Sequence, residues 1–178
     1  MAATIQSALV VLVPEAEHVV RPFREAHDPS AALGMPAHIT LLFPFLPPSR
    51  ITRAVVDGLA TCFGRFQPFR FSLREARRFP GVLYFVPDPD DPFRVLTMAI
   101  WRQSPETPPY DGKHPDIVPH LSIAQINDEI QLDAVAKDFA RSSANSLPIA
   151  AAATQVALMD NGSGHWKIQR LFHLAVGT

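Results

Sequence analysis

Apolar and polar positions alternate along this chain in short blocks that predict a mixture of strands and helices. The run Ala8–Val13 is apolar throughout and is closed by a proline, which predicts a buried strand. Between Pro14 and His27, two valines and a phenylalanine recur at helical spacing behind acidic residues, which predicts a first helix. The chain therefore begins with a strand and a helix.

The rest of the chain continues this mixture, with strands outnumbering helices. The further predicted strands, besides two that are treated below, are Phe69–Leu73, Val82–Val86, Leu147–Ala153, Thr154–Asp160 and Lys167–Val176. The further predicted helices are Arg50–Phe63 with Ser49 as its N-cap, Phe93–Gln103, and one from an N-cap at Asn127 or Asp128 to about Ala140. A long loop rich in proline, glycine and charge covers residues 104–118.

Two of the predicted strands begin with the same pattern of histidine, apolar, hydroxyl and apolar residues. The first is His38-Ile39-Thr40-Leu41 and the second is His120-Leu121-Ser122-Ile123. Side chains two positions apart in a strand point to the same face, so each histidine should project beside its hydroxyl while the apolar pair packs inward. Fewer than about 0.1 such matches are expected from an ordinary composition, which makes a functional pair the better interpretation.

With this motif pair the chain resembles the 2H phosphoesterases, and within them the bacterial 2'-5' RNA ligase or RNA 2',3'-cyclic phosphodiesterase family. The two motifs lie 82 positions apart, and the similarity extends to "MPAHITLLFPF", "RRFPGVLYFVPDP" and "PPYDGKHPDIVPHLSIAQ". Ser122 stands where threonine is more common, but it keeps the hydroxyl. The resemblance implies an α+β fold over residues 1–178 as a single bilobal domain. It also implies two pseudo-symmetric lobes of mainly antiparallel sheet with outer helices, and an active-site cleft between the lobes.

The same residue types suit the hydrolysis of a cyclic phosphodiester. One neutral imidazole can take a proton from water while a second, charged imidazole gives one to the leaving ribose oxygen. Thr40 and Ser122 can donate hydrogen bonds to the phosphate oxygens. The candidate catalytic residues are therefore His38, Thr40, His120 and Ser122. The sequence leaves open which histidine is the base, and whether the reverse reaction, a 2'-5' ligation, also occurs.

Substrate contacts and a metal site are less clearly marked. Candidate substrate-binding residues are Tyr84 and Tyr110, for stacking on a base, and Lys113, for a phosphate. Two histidines with hydroxyl neighbours are poor zinc ligands without a third ligand, so we expect no metal and no cofactor. The alternative is a metal site completed by one of three other residues, namely His114, Asp116 or His165.

Composition restricts the class of protein. With 47% hydrophobic residues, a net charge of −1 and one cysteine, the chain fits a globular domain with no disulfide, and Cys62 fits a buried structural thiol. We expect a cytoplasmic monomer without a membrane segment. Near-neutral charge favours an RNA terminus or a small nucleotide over long nucleic acid. Alternatives are a 2H phosphoesterase for ADP-ribose 1'',2''-cyclic phosphate or 2'-5' oligoadenylate, and a non-catalytic nucleotide-binding protein.

Overall fold

The computed structural model describes residues 5–113 and 116–175, in which there are eight strands and five α-helices. The strands are β1 (Ser7–Leu12), β2 (His38–Leu42), β3 (Phe69–Phe79), β4 (Val82–Asp88), β5 (Leu121–Gln125), β6 (Ile149–Ala153), β7 (Gln155–Asp160) and β8 (Lys167–His173). The helices are α1 (Glu17–His27), α2 (Pro29–Ala32), α3 (Arg53–Phe63), α4 (Asp91–Gln103) and α5 (Glu129–Ser143).

These strands form two four-stranded antiparallel sheets. The first sheet has the order β2-β1-β7-β8 and the second has the order β5-β4-β3-β6. In each sheet the motif strand lies at the edge, beside the strand that precedes it in the chain, and a helix connects the two. The two halves thus repeat one arrangement, β1-α1-β2 and β4-α4-β5. The predicted α+β fold, with two similar antiparallel sheets and outer helices, is confirmed.

Each half packs one helix on the motif strand of the other half. Helix α1 contacts β5, helix α4 contacts β2, and the two motif strands also contact each other. The apolar residues of both motifs, Ile39 and Leu41 on β2 and Leu121 and Ile123 on β5, are buried in one continuous core. Burial of these residues fixes the rotation of both strands, since alternate side chains must then point to the other face.

The boundaries of α3 and β3 differ from those predicted. Helix α3 begins at Arg53, and Thr52 is its N-cap because its hydroxyl accepts from the Val55 N–H at 3.4 Å; the prediction of Ser49 as the cap was wrong. Strand β3 continues six residues beyond the predicted end, Leu73. Its charged second half still pairs with β4 after a bulge between Leu73 and Ala76.

Two further boundaries are settled near the end of the chain. Asp128, and not Asn127, caps α5, because its carboxylate accepts from the N–H groups of residues 130 and 131. Strand β8 ends at His173, whereas the prediction extended to Val176, which lies outside the described residues.

Two observations bear on the expectations drawn from composition. Cys62 is a free thiol buried on the inner side of α3, as predicted for a structural cysteine. Among the described helices, none combines the length and the apolar character that a bilayer crossing requires.

Candidate active site

The four motif side chains line one cavity between the edge strands of the two sheets. His38 and Thr40 enter it from β2, and His120 and Ser122 enter it from the start of β5. The cavity measures about 180 Å³, several times the roughly 30 Å³ that one water molecule occupies. The other residues that line it are Ala8, Asp28, Ser30, Met35, Phe43, Tyr110, Gln125 and Trp166.

Each of the two histidines is oriented by a hydrogen bond of the same type. Nδ1 of His38 lies 2.8 Å from the carbonyl oxygen of Pro36, and Nδ1 of His120 lies 2.7 Å from the carbonyl oxygen of Val118. A carbonyl oxygen only accepts, so Nδ1 carries the proton in both rings. In the neutral tautomer Nε2 is then the basic nitrogen of each imidazole. Each ring is thus oriented by the backbone two residues before it.

The surroundings of His38 favour its neutral form. The pKa of His38 is lowered to about 4, chiefly because burial disfavours the charged imidazolium. The Arg24 guanidinium and His120 lower this pKa further, whereas the hydrogen bond to Pro36 and the carboxylate of Asp28 raise it. His38 is therefore uncharged at neutral pH.

A buried ionic network lies beside His38. Arg24 and Asp28, whose side chains are 3% and 1% exposed, form an ion pair at 3.0 Å. The Ser30 hydroxyl donates to the same carboxylate at 2.7 Å, and the Ser30 N–H donates to it at 2.9 Å. Asp28 and Ser30 also line the cavity. Asp28 thus caps the short helix α2, neutralises Arg24 and contributes to the wall of the site.

Aromatic rings surround His120. The centroids of Phe79 and Tyr84 each lie 5.6 Å from that of His120, in edge-to-face arrangements, and Phe79 and Tyr84 stack on each other at 4.1 Å. Tyr110 lies nearly parallel to His120, with the centroids 6.2 Å apart. The distances from Phe79 and Tyr84 fall within the range of about 6 Å at which ring faces attract a cation, and Tyr110 lies just beyond it. The environment of His120 is therefore aromatic, whereas that of His38 is ionic.

Tyr110 belongs to a turn with unusual backbone geometry. Tyr110 and Asp111 have φ angles of 52° and 55°, in the left-handed region that residues other than glycine seldom adopt. The Tyr110 N–H donates to the Phe43 carbonyl at 2.8 Å, which fastens the turn to the end of β2. Burial raises the pKa of the Tyr110 hydroxyl to about 12, so that it remains a neutral donor.

A second cavity adjoins the first on the side of the second sheet. It measures about 580 Å³ and shares Tyr110 and His120 with the smaller cavity. Apart from these two residues and Asp116, its wall is apolar, formed by Phe79, Pro80, Val82 and Val118. Its volume lies within the range typical of small-molecule sites.

The predicted substrate-binding residues occupy three different environments. Tyr110 lines both cavities. Tyr84 is 5% exposed and lies beneath His120, with Phe79 stacked on its ring. The side chain of Lys113 is 73% exposed, and its ammonium lies 3.4 Å from the Asp111 carboxylate. Lys113 is not among the residues that line either cavity.

The three residues considered as additional metal ligands also lie in different places. Asp116 lines the larger cavity, His165 is exposed in the turn between β7 and β8, and His114 lies outside the described residues. Within residues 5–113 and 116–175, no three histidine, cysteine or carboxylate side chains are grouped so that they could hold a metal ion.

Sequence reasoning missed several residues that line the cavities. Asp28 and Ser30 are not among the predicted site residues, although an Asp-Pro-Ser segment four positions after an arginine indicates a capped turn with an ion-pair partner. Phe43 was also missed, and its ring centroid lies 6.1 Å from that of Trp166, which follows 123 positions later in the sequence and was itself a stacking candidate alongside Tyr84 and Tyr110. No local pattern connects them, and only the pairing of the strands brings them together.

The fold and the cavity define the class of 2H phosphoesterases, in which two strands each present a histidine and a hydroxyl residue to one site. The chain belongs to the 2'-5' RNA ligase superfamily, whose family model matches residues 12–165. The resemblance seen in the sequence is therefore confirmed, and membership implies a phosphodiesterase or ligase activity. No curated protein is similar enough in sequence to be matched to the chain.

Solved structures of low sequence identity share the fold. Escherichia coli LigT in complex with 3'-AMP superposes with a TM-score of 0.61 at 14% identity, covering 96% of this chain and 98% of that chain. The same protein in complex with NADP+ gives a TM-score of 0.59 at 16% identity, with the same coverage. TT0787 of Thermus thermophilus gives 0.58 at 16% identity, covering 97% of this chain and all of that chain.

Proposed function

We propose that the protein is a phosphodiesterase that opens 2',3'-cyclic phosphates at the ends of RNA or nucleotides by acid–base catalysis with two histidines. The observation that carries this proposal is the matched fixation of His38 and His120. Each ring commits Nδ1 to a backbone carbonyl, and both rings line one cavity. This arrangement supplies two oriented proton-transfer groups on either side of one small space.

The reaction uses only water and the substrate. A neutral imidazole takes a proton from water through Nε2, and the resulting hydroxide forms a bond to phosphorus. The bond from phosphorus to one ribose oxygen breaks, and an imidazolium gives its proton to that oxygen. The product is a phosphomonoester beside a free hydroxyl group. When the 5'-hydroxyl of another RNA takes the place of water as the nucleophile, the bond from phosphorus to the 3'-oxygen breaks, that oxygen takes the proton, and the product is a 2'-5' linkage.

The two histidine environments suggest a division of roles. We assign the base to His38, because its lowered pKa keeps it neutral over the physiological range. We assign the acid to His120, because it is the other oriented imidazole of the cavity and the rings of Phe79 and Tyr84 lie at distances at which ring faces attract a cation. Tyr84 is buried, so in this proposal it positions His120 and does not stack on a base.

The hydroxyl groups hold the phosphate. Thr40 and Ser122 project beside the two histidines, and each donates to a non-bridging oxygen on which negative charge increases during attack. Tyr110 adds a neutral donor, since its hydroxyl does not ionise at physiological pH. The nucleoside then occupies the larger, apolar cavity, which opens from the same His120 and Tyr110.

A substrate panel tests the activity. We expect turnover of nucleoside 2',3'-cyclic phosphates or of short RNAs with cyclic ends, and loss of that turnover in His38→Ala and His120→Ala. Turnover of only ADP-ribose 1'',2''-cyclic phosphate or 2'-5' oligoadenylate would redirect the assignment to another nucleotide. Binding without turnover of any of these compounds would indicate a non-catalytic protein.

The division of roles has its own test. A diester with a nitrophenolate leaving group needs little help from an acid, but it still needs the base. We therefore expect His120→Ala to lose far less activity on the nitrophenyl substrate than on a cyclic phosphate, and His38→Ala to lose activity on both. The opposite result would exchange the two roles.

A further inference from the structure

A row of side chains extends from the motif serine across the second sheet. Ser122 on β5 pairs with Tyr84 on β4, and Tyr84 pairs with Arg77 on β3. Residues paired directly across strands share a face of the sheet. Arg77 therefore projects from the same face as Ser122, and the two backbones are separated by two strand spacings, about 10 Å.

The positions of neighbouring side chains on β3 support this orientation of Arg77 towards the face that contains the cavities. Phe79 lies two positions further along the strand, and its ring lines the larger cavity and contacts His120. Arg78 takes the opposite face, where its guanidinium bonds to Glu129 and Asp133 of α5. The two adjacent arginines thus project from opposite faces of the sheet, and of the two Arg77 is on the face that carries Ser122 and the cavities.

The larger cavity lies on this same face. Its apolar wall around Phe79 and Val82 and its volume of about 580 Å³ suit one nucleoside. A nucleoside placed there, with its cyclic phosphate at His120 and Ser122, has its 5' side available to a group further along the sheet. Arg77 does not line the cavity itself, and its long side chain, which is 58% exposed, projects from the same face of the sheet beside it.

We propose that Arg77 binds the phosphate on the 5' side of the terminal nucleoside, so that the site selects RNA ends over free cyclic mononucleotides. This inference rests on the proposed function, because it takes the reacting phosphate to lie at the two histidines. A guanidinium binds phosphate through paired N–H donors, and this geometry makes arginine a common residue in phosphate sites. A free nucleoside 2',3'-cyclic phosphate has no 5'-phosphate and gains nothing from Arg77.

Glu75 competes with the phosphate for Arg77. Its Oε1 accepts from Arg77 Nε at 3.1 Å and from Nη2 at 2.9 Å, so substrate must displace a carboxylate from the guanidinium. An exposed pair of this kind is weak, which makes the exchange feasible. In the absence of RNA, the Glu75 carboxylate also keeps the Arg77 guanidinium oriented on this face of the sheet.

Three substrates and three variants test the inference. The substrates are adenosine 2',3'-cyclic phosphate, its 5'-phosphorylated derivative and a trinucleotide with a cyclic end. The variants are Arg77→Ala, Glu75→Gln and, as the matched control on the opposite face, Arg78→Ala. Steady-state kcat/KM is measured for each combination, first at low salt and then over a range of salt concentrations.

We expect Arg77→Ala to lower kcat/KM about 10-fold on the two substrates that carry a 5'-linked phosphate. The same variant should leave the mononucleotide within about twofold, as expected for a surface change that removes no contact to it. Glu75→Gln should lower KM for the phosphorylated substrates about two- to threefold, because the competing carboxylate is gone. Arg78→Ala should match the unchanged protein on all three substrates.

Salt provides an independent readout. Each phosphate contact to a single strand steepens the decline of log(kcat/KM) with log salt by about 0.7 at most, so Arg77→Ala should flatten the slope on the two substrates that carry a 5'-linked phosphate and leave it unchanged on the mononucleotide. If all three substrates are hydrolysed but Arg77→Ala affects them equally, Arg77 does not bind the 5'-phosphate. If none of the substrates is hydrolysed, the proposed function itself fails.

Discussion

The guanidinium of Arg24 and the carboxylate of Asp28 form an ion pair at 3.0 Å that is almost completely enclosed, with side chains 3% and 1% exposed. The Ser30 hydroxyl completes the bonding of the carboxylate, and the network borders the cavity that contains His38. Removing one partner of a buried pair leaves an uncompensated charge in a region of low dielectric constant. The two members of the pair therefore have opposite effects on the pKa of His38: the Arg24 guanidinium lowers it and the Asp28 carboxylate raises it.

Substitutions in this pair should shift the pKa of His38 in opposite directions. Asp28→Asn removes the carboxylate that favours imidazolium, so it should lower the pKa, whereas Arg24→Met removes a repelling cation and should raise it. The measurement is an NMR titration of the His38 ring protons in each folded variant. Asp57→Asn, which breaks the exposed pair with Arg53, serves as the control and should leave the titration unchanged. Shifts of the same sign in both variants would show a general structural disturbance.

Loss of either histidine of the proposed acid–base pair should nearly abolish turnover. His38→Ala and His120→Ala should each lower kcat about 10²–10⁴-fold, as is typical for general acid or base groups. The double variant should be little worse than either single one, since the two act as a unit. A folded single variant with near-normal turnover would contradict the paired mechanism.

Loss of one hydroxyl should be milder than loss of a histidine. Thr40→Ala and Ser122→Ala should lower kcat about 10–10³-fold, because the other hydroxyl still holds the phosphate. The matched controls are Thr40→Ser and Ser122→Thr, which keep the donor and should retain most of the rate. Equal losses in the alanine variants and in their conservative counterparts would assign these positions to packing.

The stability of the fold should depend on pH through His38. Its pKa in the folded protein is about 4, below the ordinary value of 6.5 expected in the unfolded chain, so the unfolded chain binds the proton first as the pH falls. The free energy of unfolding should therefore be fully maintained above about pH 6.5 and decline by about 2–3 kcal/mol towards pH 4. Urea unfolding at several pH values measures this decline. In His38→Gln the decline over this window should be smaller by that amount, and an unchanged decline would place its origin in other groups.

Catalysis should persist without metal, because proton transfer and charge stabilisation are assigned to side chains. Turnover of a 2',3'-cyclic substrate should survive dialysis against EDTA, with metal content checked by elemental analysis. Loss of activity in EDTA together with recovery on addition of zinc or manganese would reassign the protein to the metallohydrolases.

Several features follow from local sequence alone. The alternation of Ile39 and Leu41 with His38 and Thr40 predicts a strand that is buried on one face, since the two-residue repeat is a property of the extended backbone. The repetition of this pattern at His120 indicated the family and predicted the four residues that line the smaller cavity together. Local chemistry was less decisive at boundaries. Serine is at least as good an N-cap as threonine in isolation, but the helix begins after Thr52 and not after Ser49.

The tertiary structure decided which distant side chains share the site and what state they adopt. The order of strands in each sheet places Tyr84 beneath His120 and Arg77 one strand further on, and no periodicity in the chain contains that order. Burial converts Arg24 and Asp28 from an ordinary helical pair into a charged wall of the cavity. It also makes His38 a weak base, because desolvation depends on everything packed around the ring and not on its sequence neighbours. Strand formation is a short-range property, whereas convergence and desolvation are long-range ones.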